Sequence, residues 1–347
     1  MIPAGVADVT PAWLSSVLGA PVAAVGVTPI GTGQIADSVR LSITWGDGAD
    51  HGPSTLVAKV TTASPTSKAA AMATRTYEVE AGFYNDLAPS LAVRTPHCWW
   101  AGCDVETGAY AVVLEDLAPA VQGDQVAGCS VDEAALALDE AALLHASRWG
   151  DRSLVAIAWL NRHAAASEGG GVSGLLAALA PGFLERYAAR LPEDVVELLS
   201  RFVPRAGGYG TGASGASTVV HADFRNDNLM FGSERVGVLD WQTVGLGHAL
   251  SDVSYFLGGS LLPHVRQDHE RDLVRAYRER LVAHDGVELT WDECWTDYRR
   301  FAFGGLVMAV IASMIVVRTD RGDDMFMAMA ERAGRHALDL GAEELLT

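Results

Sequence analysis

The chain has 347 residues and 36.6 kDa, 49% hydrophobic and 20% charged, a length suited to one large or two ordinary domains. That composition supplies a buried core and excludes a disordered chain. Against 25 Lys and Arg stand 43 Asp and Glu, a net charge of −18 with pI near 4.8, which repels nucleic acid and anionic membrane surface.

Lys59 and Lys68 are the only lysines, so a lysine inside an apolar strand stands out. Cys98, Cys103, Cys129 and Cys294 form no CxxC pair and have no His at zinc spacing, which suits thiols in a reducing compartment. The first basic residue is Arg40, so neither a signal-peptide start nor a transit peptide is read. The longest uncharged run, Phe301 to Val317, contains two glycines and a serine and is flanked by Arg299, Arg300 and Arg318. A buried helix is expected there, not a membrane span, in a cytoplasmic protein.

In chain order, Thr10-Pro11 starts a short helix that Gly19 ends. Val22 to Ile30 is β-branched and apolar. Val39, Leu41, Ile43 and Trp45 alternate with polar residues up to Asp47-Gly48, and Leu56 to Val60 follows as another strand. Thr66 to Leu87 predicts one long helix, and Ala109 to Leu114 a further strand. Beyond Pro119, helical periodicity covers Val131 to Trp149, Pro181 to Arg190, Glu193 to Phe202, Gln267 to Ala283 and Trp291 to Val317. Loops rich in Gly and Ser, Ser167 to Gly174 and Ala206 to Ser217, separate some of these. Short strands are expected at Thr218 to His221, Leu229 to Phe231 and Val236 to Leu239. The layout is α+β, with a small antiparallel β lobe over 1–116 and a large, mostly helical lobe over 117–347.

The strongest chemical signal is His221-Ala-Asp223-Phe-Arg225-Asn-Asp227-Asn228, followed by a strand pair and Asp240-Trp241-Gln242. Phosphoryl transfer asks for this set. One carboxylate deprotonates the attacking hydroxyl, while an amide oxygen and a second carboxylate hold Mg²⁺ against the phosphates of ATP. A polar loop with capping Asp and Asn residues would explain H-x-D alone, but not the whole constellation.

Lys59 sits between Ala58 and Val60, where an unpaired charge is costly, and Glu80 lies 21 residues on in the following helix. Such a pair places a lysine on the α- and β-phosphates. Glu78 is the rival partner. Gly31-Thr-Gly33 opens a strand instead of a helix, which suits a flap over phosphates better than a dinucleotide loop, with a plain hairpin as the bland alternative. Arg225 follows the expected base by two residues, where a guanidinium could neutralise the γ-phosphate; a surface arginine paired with Asp227 or Glu234 is the alternative. Asp227 reads as a solvated or capping residue, and His248 as a packed loop histidine.

These motifs resemble the aminoglycoside/choline kinase-like phosphotransferases, and most closely the ecdysteroid-kinase-like branch with its HGDFxxxN and DWQ motifs, with Ala222 in place of the usual Gly. The resemblance spans roughly residues 25 to 345. It implies a two-lobed protein-kinase-like fold and an ATP- and Mg²⁺-dependent enzyme that phosphorylates a hydroxyl of a small molecule. On it, Asp223 is catalytic and Asn228 and Asp240 hold metal; Arg225, which the family pattern does not fix, joins the catalytic candidates by its offset from Asp223. Lys59, Glu80, Gly31, Gly33 and the hinge residues Glu115 and Leu117 serve the nucleotide. The segment from Gly247 to Asp252 resembles the one whose Asp braces the catalytic loop. A nucleotide-binding pseudokinase scaffold is the alternative. A protein kinase is disfavoured, because no A-P-E and no room for an activation segment exist between Asp240 and Asp252.

Overall fold

The computed structural model describes residues 1–31, 35–46, 51–161 and 171–346, and the chain divides into two units. The first holds Met1–Ser90, Thr95–Ala120 and Leu239–Val244; the second holds Leu91–Arg94, Val121–Val238 and Gly245–Thr347. Gly33 and the Asp47-Gly48 turn lie outside the described residues.

In the first unit, α1 (Pro11–Leu18) starts where Thr10 accepts a hydrogen bond from the Trp13 N–H and ends at left-handed Gly19. Then follow β1 (Val22–Pro29), β2 (Ala36–Trp45), β3 (Thr55–Thr61), α2 (Pro65–Ala73), α3 (Thr76–Gly82), β4 (Cys98–Asp104) and β5 (Ala109–Glu115). The strands form one antiparallel sheet in the order β1-β2-β3-β5-β4. On β3, Leu56, Ala58 and Val60 are fully buried in a core with Leu14, Val39, Leu41, Ala111 and Val113. The two-residue period of a strand therefore turns Lys59 to the opposite face, in register with Ser38 and Val112.

One expectation is corrected here, and one strand is new. The single helix from Thr66 to Leu87 is broken: Arg75 adopts φ +58, and the Thr74 hydroxyl donates back to the carbonyls of Ala70 and Ala71, so α2 ends and α3 starts in a new direction. A π-helical turn, Phe83–Leu87, then completes the segment. Strand β4 is absent from the sequence reading because all seven of its residues are half-buried, which leaves no alternation to detect.

In the second unit come β6 (Val121–Gln122), α4 (Val131–Ser147), α5 (Gly171–Tyr187), α6 (Glu193–Phe202), β7 (Thr218–Val220), β8 (Leu229–Phe231) and β9 (Val236–Val238). They are followed by β10 (Gly245–Gly247), α7 (Ala249–Ser260), α8 (Pro263–Val282), α9 (Trp291–Arg300), α10 (Gly304–Ile315) and α11 (Asp320–Asp339). The short strands pair as β6-β8-β9 and β10-β7. Helix α5 starts inside the expected Gly/Ser loop and runs through Pro181, because Leu176, Ala180, Phe183 and Tyr187 recur at helical spacing and all bury in the core. The long helix expected from Trp291 to Val317 is two, interrupted at 301–303.

The apolar run of α10 is core, as expected: Leu306, Val307, Ala309 and Val310 are buried against α5 and α11. The stretch Trp291–Ile315 is long and apolar enough for a membrane span by composition, yet 56% of its most apolar window is buried inside the protein. Helices α7 and α11 are missing from the sequence reading. Nearly all of α7 is buried, so it shows no polar face, and α11 buries Asp323, Arg332 and His336 among its Ala and Met residues, which blurs its apolar face.

Candidate active site

In the first unit the Lys59 ammonium donates to both carboxylate oxygens of Glu80, at 2.7 and 2.8 Å, and to Oδ1 of Asp240 at 2.6 Å. The spacing argument thus selects the right glutamate; Glu78 pairs instead with Arg75. Burial alone would lower the pKa of Lys59, but Asp240 and Glu80 more than offset it, and the ammonium is held above its ordinary value. Tyr110 completes the set by donating to Glu80 Oε2 at 2.6 Å. Its own ionisation is pushed well up by burial, so it remains a donor.

Each residue of Asp240-Trp241-Gln242 has a physical task within this unit. Asp240 sits in the left-handed region, φ 63 and ψ 62, a strained conformation for a residue with a Cβ. Trp241 is fully buried and stacks on Phe83, with ring centroids 4.0 Å apart. That anchors the turn on the segment that carries Glu80. Gln242 donates to the second oxygen of Asp240 at 3.1 Å. At the end of β5, Glu115 accepts from the His97 N–H, Leu117 is half-buried with its carbonyl bonded by Ala120, and Asp116 receives a bidentate Arg40 from β2. Gly31, at φ +70, closes β1.

In the second unit, the segment from His221 to Asn228 joins β7 to β8. Buried Asp252, on the first turn of α7, accepts from the backbone N–H groups of His221 and Ala222 at 2.7 and 2.9 Å, and contacts the His145 ring at 3.2 Å. This is the bracing that the resemblance implies for Asp252. The Asp223 carboxylate has three donors. Tyr255 reaches Oδ1 at 2.9 Å, Asn228 Nδ2 reaches Oδ2 at 2.9 Å, and Arg225 Nε lies 3.1 Å from both oxygens. The Asn228 amide nitrogen also donates to the Asp223 carbonyl at 2.8 Å, which fixes the orientation of the amide.

Asp227 is not a solvated residue. It is largely buried, accepting from the Gln125 N–H and from Arg225 at 2.7 Å. Arg225 is likewise no surface arginine, being 17% exposed and clamped between Asp223 and Asp227. His248 packs against Phe301 as the residue preceding α7. Sequence reasoning missed Tyr255 and Tyr110, which stand in no motif, and the pairing of Asp116, between the two hinge residues, with Arg40 76 positions away.

The signature of the phosphotransferase enzymes (APH) matches residues 27–301. The chain belongs to the phosphotransferase enzyme family. Its sequence matches no protein of curated function. Among solved structures, it resembles a choline kinase from Cryptosporidium parvum Iowa II, with TM-score 0.54, 10% identity and 92% and 89% of the two chains covered. An ethanolamine kinase from Plasmodium vivax gives TM-score 0.56 at 9% identity, over 89% of this chain and 81% of the other. The ternary complex of streptomycin, ATP and APH(2″)-IIa gives 0.53 at 14% identity, over 87% and 90%. These likenesses establish the protein-kinase-like fold for this phosphotransferase.

The backbone at Ala222 is strained. Ala222, where the motif carries Gly, adopts φ +63 with an exposed side chain, so its methyl strains the backbone and gains no burial. Left-handed backbone costs a non-glycine residue about 1–2 kcal/mol, and glycine returns part of that through unfolded-state entropy. Ala222→Gly is therefore expected to raise stability by roughly 0.5–1 kcal/mol in urea unfolding. A lowered midpoint would refute the strain.

Proposed function

We propose that this enzyme transfers the γ-phosphoryl group of ATP to a hydroxyl of a soluble small molecule, with Mg²⁺ as the metal. The observation that carries the reading is Lys59, a largely buried ammonium held between Glu80 and Asp240, because a charge kept on that sheet face at such desolvation cost suits phosphate binding. Lys59 takes the phosphates, Glu80 holds Lys59 in place, and Gly31 belongs to a flap over them. The hinge at Glu115 and Leu117 meets adenine through backbone groups.

Mg²⁺ keeps several waters and takes only one or two protein oxygens beside phosphate oxygens. Asp240 and the amide oxygen of Asn228 are donors of that kind. When bound, the ion would neutralise charge on the β- and γ-phosphates.

Asp223 accepts the proton of the attacking hydroxyl as its oxygen bonds to the γ-phosphorus and the bond to the bridging oxygen of ADP breaks. Arg225 keeps the two carboxylates of its loop charge-balanced and supplies a cation beside the transferred group. Arg225→Ala should lower kcat on the order of 10²-fold with little change in ATP affinity, the scale of losing one preorganised donor. Retention of more than about a third of parental kcat, under roughly 0.7 kcal/mol of barrier, would reduce Arg225 to a packing residue.

The likeness to kinases named for choline, ethanolamine and aminoglycosides supports a small hydroxyl compound as acceptor, and the DWQ motif supports placement in the ecdysteroid-kinase-like branch. A cytoplasmic location, where ATP is supplied, completes the reading. The test is ATP consumption across a library of hydroxyl-bearing metabolites and antibiotics, with casein and histone as protein controls. Turnover with a library compound supports the proposal; labelling of the proteins with nothing transferred in the library overturns it.

A further inference from the structure

We propose that Tyr255 is a positioning residue for phosphoryl transfer, its phenol hydroxyl holding the Asp223 carboxylate in the orientation from which it takes the acceptor's proton. The inference rests on the functional reading above and extends it to a residue outside every motif.

Tyr255 lies on α7, three residues after Asp252, so the two side chains emerge on the same helix face. Asp252 holds the backbone at His221 and Ala222, while Tyr255 holds the carboxylate one residue further on. One face of one helix therefore sets both the path of the loop and the rotation of its key side chain. The ring is 8% exposed and belongs to the core shared by α5, α6, α10 and α11. A phenylalanine would fill that space equally well. The hydroxyl is what distinguishes tyrosine here, and the partner it meets is Asp223 Oδ1 at 2.9 Å, not a backbone carbonyl. Burial pushes ionisation of the phenol well above its ordinary range, so it serves as a donor throughout.

An ionised carboxylate offers about four lone-pair sites. Tyr255, Asn228 and the shared Arg225 N–H direct three donors at them. Donors on both oxygens oppose rotation about the Cβ–Cγ bond, and an ångström of misplacement costs a transfer reaction up to roughly 10²-fold. Removing the tyrosine hydroxyl leaves Oδ1 with only the Arg225 N–H it shares with Oδ2, and does not touch the loop's backbone anchors.

The experiment follows inorganic phosphate released from Mg·ATP with water as acceptor, in the parent, Tyr255→Phe, Asp223→Asn and the double variant. Tyr255→Phe should lower kcat by ~10- to 10²-fold, leave KM for ATP within about twofold and melt within a few degrees of the parent. In the Asp223→Asn background the same change should cost nothing further, because the tyrosine acts through that carboxylate. Equal losses in both backgrounds would make Tyr255 a packing residue, and so would a single variant that keeps more than half of parental kcat. A parent that turns over no ATP, with water or with any hydroxyl compound in the library, overturns the functional reading itself. A parent that turns over ATP no faster than Tyr255→Phe overturns only the role of Tyr255.

Discussion

Asp240→Ala is expected to abolish transfer, with a loss of 10⁴-fold or more in kcat, about 5.4 kcal/mol of barrier, and to weaken Mg·ATP binding. Asp240 has two charge partners in this reading, the metal and Lys59 at 2.6 Å. Removing it leaves Lys59 paired with Glu80, itself held by Tyr110, so the sheet and α3 retain their ion pair and the variant should fold. Alanine also keeps the left-handed strain of position 240, so the substitution does not relieve the turn. Trp241 stays anchored on Phe83 by stacking that does not involve the carboxylate. Titration calorimetry with ATP, with and without Mg²⁺, checks the point. A variant that binds Mg·ATP like the parent would remove Asp240 from the metal.

Asp223→Asn should separate chemistry from binding. Asparagine is nearly isosteric and can still accept from Tyr255 through its amide oxygen. Its amide nitrogen cannot accept a proton and faces the donors Asn228 and Arg225. The loss expected is that of a positioned base, on the order of 10²–10⁴-fold in kcat, with ATP affinity nearly intact. The contrast between the two variants is the informative result: both lose turnover, and only Asp240→Ala loses nucleotide. If Asp223→Asn retained parental kcat, Asp223 could not be the base.

Local sequence carried much of this. The caps of α1, the alternation of β2, the buried character of α10 and the H-x-D-x-x-x-x-N and D-W-Q motifs all depend on residues near one another in the chain. Within a few residues, spacing decides which side chains share a face, and turn chemistry decides where an element stops. The identity of Lys59 as the notable cation also follows from sequence, because an ammonium flanked by Ala58 and Val60 in a strand needs a partner.

What the sequence did not contain lies in contacts between distant segments. Lys59 and Asp240 are 181 positions apart, and only the folded chain groups Leu239–Val244 with the sheet unit. Arg225 was open to a surface role until its burial between Asp223 and Asp227 was visible. Tyr255 stands in a helix buried nearly all round, where no periodicity marks one face as special. The break between α2 and α3 depends on Arg75 taking a left-handed conformation, which arginine does not favour locally. Motif spacing thus singled out the candidate groups. The orientation of those groups was decided by tertiary packing, since hydrogen-bond geometry at a carboxylate is set by whichever helices and strands the core brings beside it.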